Sequence, residues 1–122
     1  MIIYRVDYKT DWRAGQTRNL ALEHVSVRRG DKRIKPGWVH TTCADLIVSY
    51  VPDDDTAYVL PIERIRSAWP DIQKLFPLKS TSTNGPNGGY YTDSYCPSIS
   101  WLMANKVIKE KVSAIGSQLR LW

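Results

Sequence analysis

Residues 2–27 read IIYRVDYKTDWRAGQTRNLALEHVSV, and the fold turns on how this stretch is divided. Over residues 2–9 the side chains alternate. Ile2, Tyr4, Val6 and Tyr8 point one way, and Ile3, Arg5, Asp7 and Lys9 point the other, as a β-strand requires. Gly15 and its polar neighbours between Thr10 and Arg18 predict a wide hairpin loop. Residues 19–27 then predict a second strand, antiparallel to the first, with Glu23 on the face of Ala21, Val25 and Val27.

Working outward, Arg28 to Gly37 reads as a basic turn region closed by Pro36-Gly37, and residues 41–44 as one helical turn. LIVSYV at 46–51 is apolar on both faces and predicts a central strand in the sheet of the first two. The Pro52–Asp55 run predicts a turn, and TAYVLPI at 56–62 another strand. From Ile62 the period changes. Ile62, Ile65, Trp69, Ile72 and Leu75 form a helical stripe, which Pro70 is expected to break or kink near Trp69. Ser, Thr, Asn, Gly and Pro dominate residues 77–89, which read as a flexible loop. A late strand follows over 89–95, then a C-terminal helix over 97–116 with its stripe at Trp101, Ala104, Ile108, Val112, Ile115 and Leu119. Strands and helices in this order predict an α/β protein, a mixed β-sheet flanked by helices.

The chain of 122 residues fits one domain, 1–122, with a strand-rich core at 1–66. No apolar run reaches the ~18 residues of a membrane span, and no basic-then-apolar leader opens the sequence. Cys43 and Cys96 have no metal-like spacing, so reduced thiols in a cytoplasm are expected. Charge is concentrated. Residues 1–36 hold nine Lys and Arg against four acids, which accounts for the whole net charge of +5. Such a segment suits a polyanion, because neutralising phosphates releases counterions; a solvated basic loop is the plainer reading.

The residues that could carry chemistry lie on the first two strands. Asp7, Lys9 and Asp11 share a parity, and a hairpin would bring Glu23 beside them. A carboxylate among apolar neighbours needs a cation, a metal or hydrogen-bond donors. Hard cations such as Mg²⁺ take one or two carboxylates plus water and phosphate oxygens, and a nearby Lys can orient water or stabilise phosphate charge. Cross-strand salt bridges of Lys9 with Asp7 or Glu23 are the ordinary alternative.

Four stretches then carry a resemblance: VDYKTD at 6–11, TRNLALE at 17–23, PGWVHTTCADLIVSY at 36–50 and YVLPIERIR at 58–66. Together they resemble small phage proteins of the PD-(D/E)xK, restriction-endonuclease-like, nuclease superfamily, over roughly residues 4–66. The resemblance implies a restriction-endonuclease-like core, here lacking the N-terminal helix, and a nuclease using Mg²⁺ or Mn²⁺. Asp11 and Glu23 would be metal ligands, with Asp7 a further candidate, and Lys9 the basic catalytic residue. Two departures stand out. Val25 occupies the position of the signature Lys, and Arg18 replaces the Gly of a Thr-Gly-Asn turn.

On this reading Arg13, Arg18, Arg28, Arg29, Arg33 and Lys35 grip backbone phosphates of DNA or RNA. Trp12 and Trp38, beside the basic segment, are placed to stack on bases. The expected location is the cytoplasm, that of the host cell for a phage protein, and the oligomeric state is open, a homodimer included. Two further functions fit the sequence: a non-catalytic nucleic-acid-binding module on the same fold, or a small phage protein that binds and inhibits a host protein. The remaining motifs point to structure. His24 and His40 show no ligand spacing, Asp53–Asp55 lacks the later Glu of a Ca²⁺ loop, and NGPNGG at 84–89 matches no phosphate-loop pattern.

Overall fold

Alternation along LIVSYV resolves into a strand whose Ile47, Ser49 and Val51 face the core, while Leu46, Val48 and Tyr50 are half-buried on the other side. This strand, β4 (Leu46–Val51), is central, as expected of a run apolar on both faces. It pairs in parallel with β1 (Val6–Thr10) and antiparallel with β5 (Thr56–Pro61). The sheet closes with β8 (Glu110–Ser113), giving the order β1-β4-β5-β8. A second, antiparallel sheet has the order β3-β2-β7-β6, from β2 (Leu22–Arg29), β3 (Lys32–Pro36), β6 (Leu78–Thr83) and β7 (Tyr90–Tyr95). The computed structural model describes residues 3–86 and 88–113. No described helix is long and apolar enough to cross a membrane.

Helix α3 (Ile62–Leu75) lays the buried stripe Ile62, Ile65, Trp69 and Ile72 on a core shared with Ile47, Tyr58 and Leu60 of the first sheet and Leu20 and Leu22 at the start of β2. The helix continues through Pro70, where a break was expected. An interior Pro costs about 3 kcal/mol of helix stability, but Ile65 and Ile72 anchor the turns on both sides of it in one core. Two further short helices are α2 (Trp38–Thr41) and α4 (Ile99–Ala104), the latter capped by Ser98 Oγ accepting from Trp101 N at 3.1 Å.

The mixed α/β class holds, but four sequence expectations are corrected. First, β1 and β2 are not hairpin partners and lie in different sheets. The segment between them is one helical turn, α1 (Ala14–Thr17), with Ala14 fully buried. Asp11 Oδ1 accepts from Ala14 N at 3.1 Å at its start, and Arg18 ends it in the left-handed conformation at φ 58°. That turn carries the chain into the second sheet and leaves the β1 edge to β4. Second, residues 32–36 of the basic turn region form β3, an exposed strand folded back on β2 through Gly30 and Asp31.

Third, β6 occupies the expected flexible loop. Fourth, the C-terminal helix ends at Ala104; Lys106 turns the chain at φ 58°, and Val112 sits on β8. Ile115, Gly116 and Leu119 lie outside the described residues. The residue at the left-handed Arg18 position has a physical meaning, since glycine adopts that backbone without penalty. Arg18 holds it with its guanidinium on the Asp54 carboxylate and on Tyr58 Oη.

Candidate active site

Lys9, Asp11 and Glu23 line one cavity of about 370 Å³, although they come from two sheets. Lys9 reaches it from β1 and Glu23 from β2. Asp11, just past β1, is fixed by three backbone contacts. Its N–H donates to Tyr50 O at 2.8 Å, and its two carboxylate oxygens accept from Ala14 N at 3.1 Å and Ala21 N at 2.9 Å. Each oxygen keeps unused lone pairs. Glu23 Oε1 accepts from the first N–H of α2, Trp38 N, at 3.2 Å, and Glu23 is in no ion pair among the described residues.

The place of α2 against β2 depends on Gly37. Its N–H donates to His24 O at 2.9 Å, and a Cβ there would fall on the Glu23 carbonyl group and 2.7 Å from the His24 carbonyl carbon. Glycine is required by close approach of two backbones, not by its φ of −75°. Trp38 borders the cavity, and Lys9 Nζ lies 5.4 Å from the centre of one of its rings.

The ordinary alternative is met only in part, by an ion pair within β1 and not across strands. Lys9 Nζ pairs with Asp7 Oδ2 at 3.0 Å, while no bridge joins Lys9 to Glu23. Asp7 is not on the cavity wall, and no group of three or more metal-type side chains occurs among the described residues. The carboxylates available to a cation are thus Asp11 and Glu23.

The basic residues divide. Arg28 is committed to Asp93, a carboxylate 2% exposed, through Nε at 2.7 Å and Nη2 at 3.1 Å, with Ser80 Oγ adding a bond of 2.6 Å. These bonds, the Arg28 pair foremost, hold Asp93 below the usual carboxylate range. Arg18 is tied to Asp54. Arg13, Arg29, Arg33 and Lys35 are exposed and in no ion pair among the described residues, and Arg13 also lines the cavity. Trp12 is 73% exposed at the cavity rim.

Sequence spacing missed one pair. His24 Nδ1 and His40 Nε2 lie 2.8 Å apart, boxed by Trp69 and Tyr95. Their 16-residue separation matches no ligand motif, and only the packing of α2 on β2 brings them together. Burial lowers both pKa values, helped by Arg33 and by His40 itself at His24, and by Arg66 at His40. Because the folded values lie below the unfolded ~6.5, the unfolded chain takes up more protons below that pH. Stability contributed by the pair is complete above about pH 6.5 and declines as the pH falls below it. Thermal melts between about pH 8 and pH 5 are expected to show this decline, and His40→Asn to flatten it. A slope unchanged in His40→Asn would assign the titration elsewhere.

No protein-family model, curated protein or solved structure matches the chain. The resemblance of residues 4–66 rests on the motifs themselves.

Proposed function

We propose that this chain is a divalent-metal-dependent nuclease that hydrolyses phosphodiester bonds. One observation carries the reading: Lys9, Asp11 and Glu23, selected by residue type and motif, meet at one cavity although their strands do not pair. The support comes from that convergence and not from topology, which lacks the expected first hairpin.

Asp11 and Glu23 would hold Mg²⁺ or Mn²⁺, two carboxylates being enough where water and phosphate oxygens complete the shell. When bound, such an ion neutralises phosphate charge and lowers the pKa of a water molecule. The amides of Ala14 and Ala21 keep the Asp11 carboxylate oriented, and Trp38 N does the same for Glu23. Lys9, steadied by Asp7 and the Trp38 ring, presents its ammonium to a non-bridging phosphate oxygen, taking the place of the signature Lys that Val25 lacks. Val25 is 2% exposed and belongs to the interior of the second sheet. Trp12 and Trp38 offer faces on which bases stack.

Incubating plasmid and DNA or RNA oligonucleotides with the protein tests the reading. Cleavage is expected with Mg²⁺ or Mn²⁺ and none with chelator; no cleavage of any substrate contradicts it. Binding without cleavage would favour the non-catalytic module, which the pairing of Lys9 with Asp7 also suits.

Phosphate binding by the exposed basic residues has its own signature. Affinity for duplex should fall steeply with salt, and Arg29→Ala with Arg33→Ala should lower the log–log slope by about two units. Arg28 is excluded from this test because its removal strands the Asp93 carboxylate. A slope unaffected by the double substitution would leave the β2–β3 hairpin as plain surface.

A further inference from the structure

A second cavity, of about 200 Å³, also has Asp11 in its lining. Asp11, Arg13, Ala21 and Ser94 line both cavities, so the two are neighbours that share these four residues. Lys79 and Thr81 of β6 and Cys96 line the second as well. The sheet register explains the placement. Glu23 pairs with Ser94, and Ser94 pairs with Lys79, so the three side chains stand in one row across β2, β7 and β6. At the usual strand spacing Lys79 stands about 10 Å from Glu23 along that row. The new cavity holds two cations against one carboxylate, and the hydroxyls of Thr81 and Ser94 add donors. Lys79 is in no ion pair among the described residues.

We infer that this second cavity is a phosphate subsite, in which Lys79 and Arg13 hold a backbone phosphate of the nucleic-acid strand next to the one placed at Asp11 and Glu23. The inference rests on the nuclease reading of the first cavity and deepens it, assigning the bound strand a path across Ser94 towards the β6 edge. Lys79 has no part in the chemistry; it positions the strand. Cys96 lines the same cavity as Lys79 and Arg13; burial pushes its thiol pKa up, and Asp11 adds to that shift while Lys79 and Arg13 oppose it.

Cys96 therefore serves as a reporter in a Cys43→Ser chain. Under mildly alkaline conditions, inorganic phosphate at ten times its dissociation constant should slow Cys96 alkylation by iodoacetamide about tenfold, by simple mass action. A short oligonucleotide in chelator should protect as well. Both effects should vanish in Lys79→Ala and persist in Lys79→Arg, with melting temperatures confirming that each variant folds. In anisotropy titrations Lys79→Ala should also reduce the salt slope of oligonucleotide binding by about one unit.

Alkylation indifferent to both probes, or protection undiminished in Lys79→Ala, would overturn the subsite. Protection by free phosphate alone would overturn its assignment to a nucleic-acid strand. Protection by the oligonucleotide from a chain that cleaves nothing with Mg²⁺ would uphold the subsite, and the nuclease reading would be the one to fail.

Discussion

Glu23→Gln is expected to reduce metal-dependent cleavage by ~10²–10³-fold, the scale on which losing one preorganised electrostatic group at a reacting centre acts. The fold should not notice. Gln retains the oxygen that accepts from Trp38 N, and Glu23 is in no ion pair among the described residues, so stability should hold to within ~0.5 kcal/mol. A structural Glu23 predicts the reverse, a large fall in melting temperature with cleavage scaled to the surviving folded fraction. Activity and thermal melts on the same preparation separate the two.

Gly37→Ala should have the largest effect on the fold. The added methyl would meet the Glu23 carbonyl group and His24 backbone rather than a side chain that can swing aside. Overpacking of this kind costs ~1–3 kcal/mol or more, which for a chain of this size lowers the melting temperature by roughly 10 °C. Because α2 must retreat from β2, the Trp38–Glu23 bond and the His24–His40 contact should both be lost. Gly37→Ala should therefore also weaken cleavage in the fraction that stays folded. A variant with the parent's melting temperature and activity would show that β2 and α2 do not approach as described.

Much of this was legible in the residues. Period-two alternation marked β1, the apolar faces of LIVSYV marked β4 as a central strand, and Ile62, Ile65, Trp69 and Ile72 marked α3. Residue type and parity singled out Lys9 and Asp11, but the hairpin expected to bring Glu23 beside them does not form; the three line one cavity from two different sheets. The sheet partition was not legible, since strand partners are chosen by tertiary packing: a buried Ala14 in a single helical turn decides that β1 and β2 part. All six residues of β6 are exposed, so no apolar alternation advertises it, and Lys79 went unnoticed with it. Ile108 and Val112, four apart, imitate a helix, but the left-handed Lys106 ends α4 before either of them.

On the proposed reading Asp11 and Glu23 hold one cation between them. Calorimetric titration of Mn²⁺ into the parent, Asp11→Asn and Glu23→Gln tests it most directly. The expected result is one Mn²⁺ per parent chain, with binding lost or weakened at least ~10-fold in either variant and unaltered in an Asp7→Asn control. Absence of binding to the parent, or equal binding by all four proteins, would contradict a cation site shared by Asp11 and Glu23.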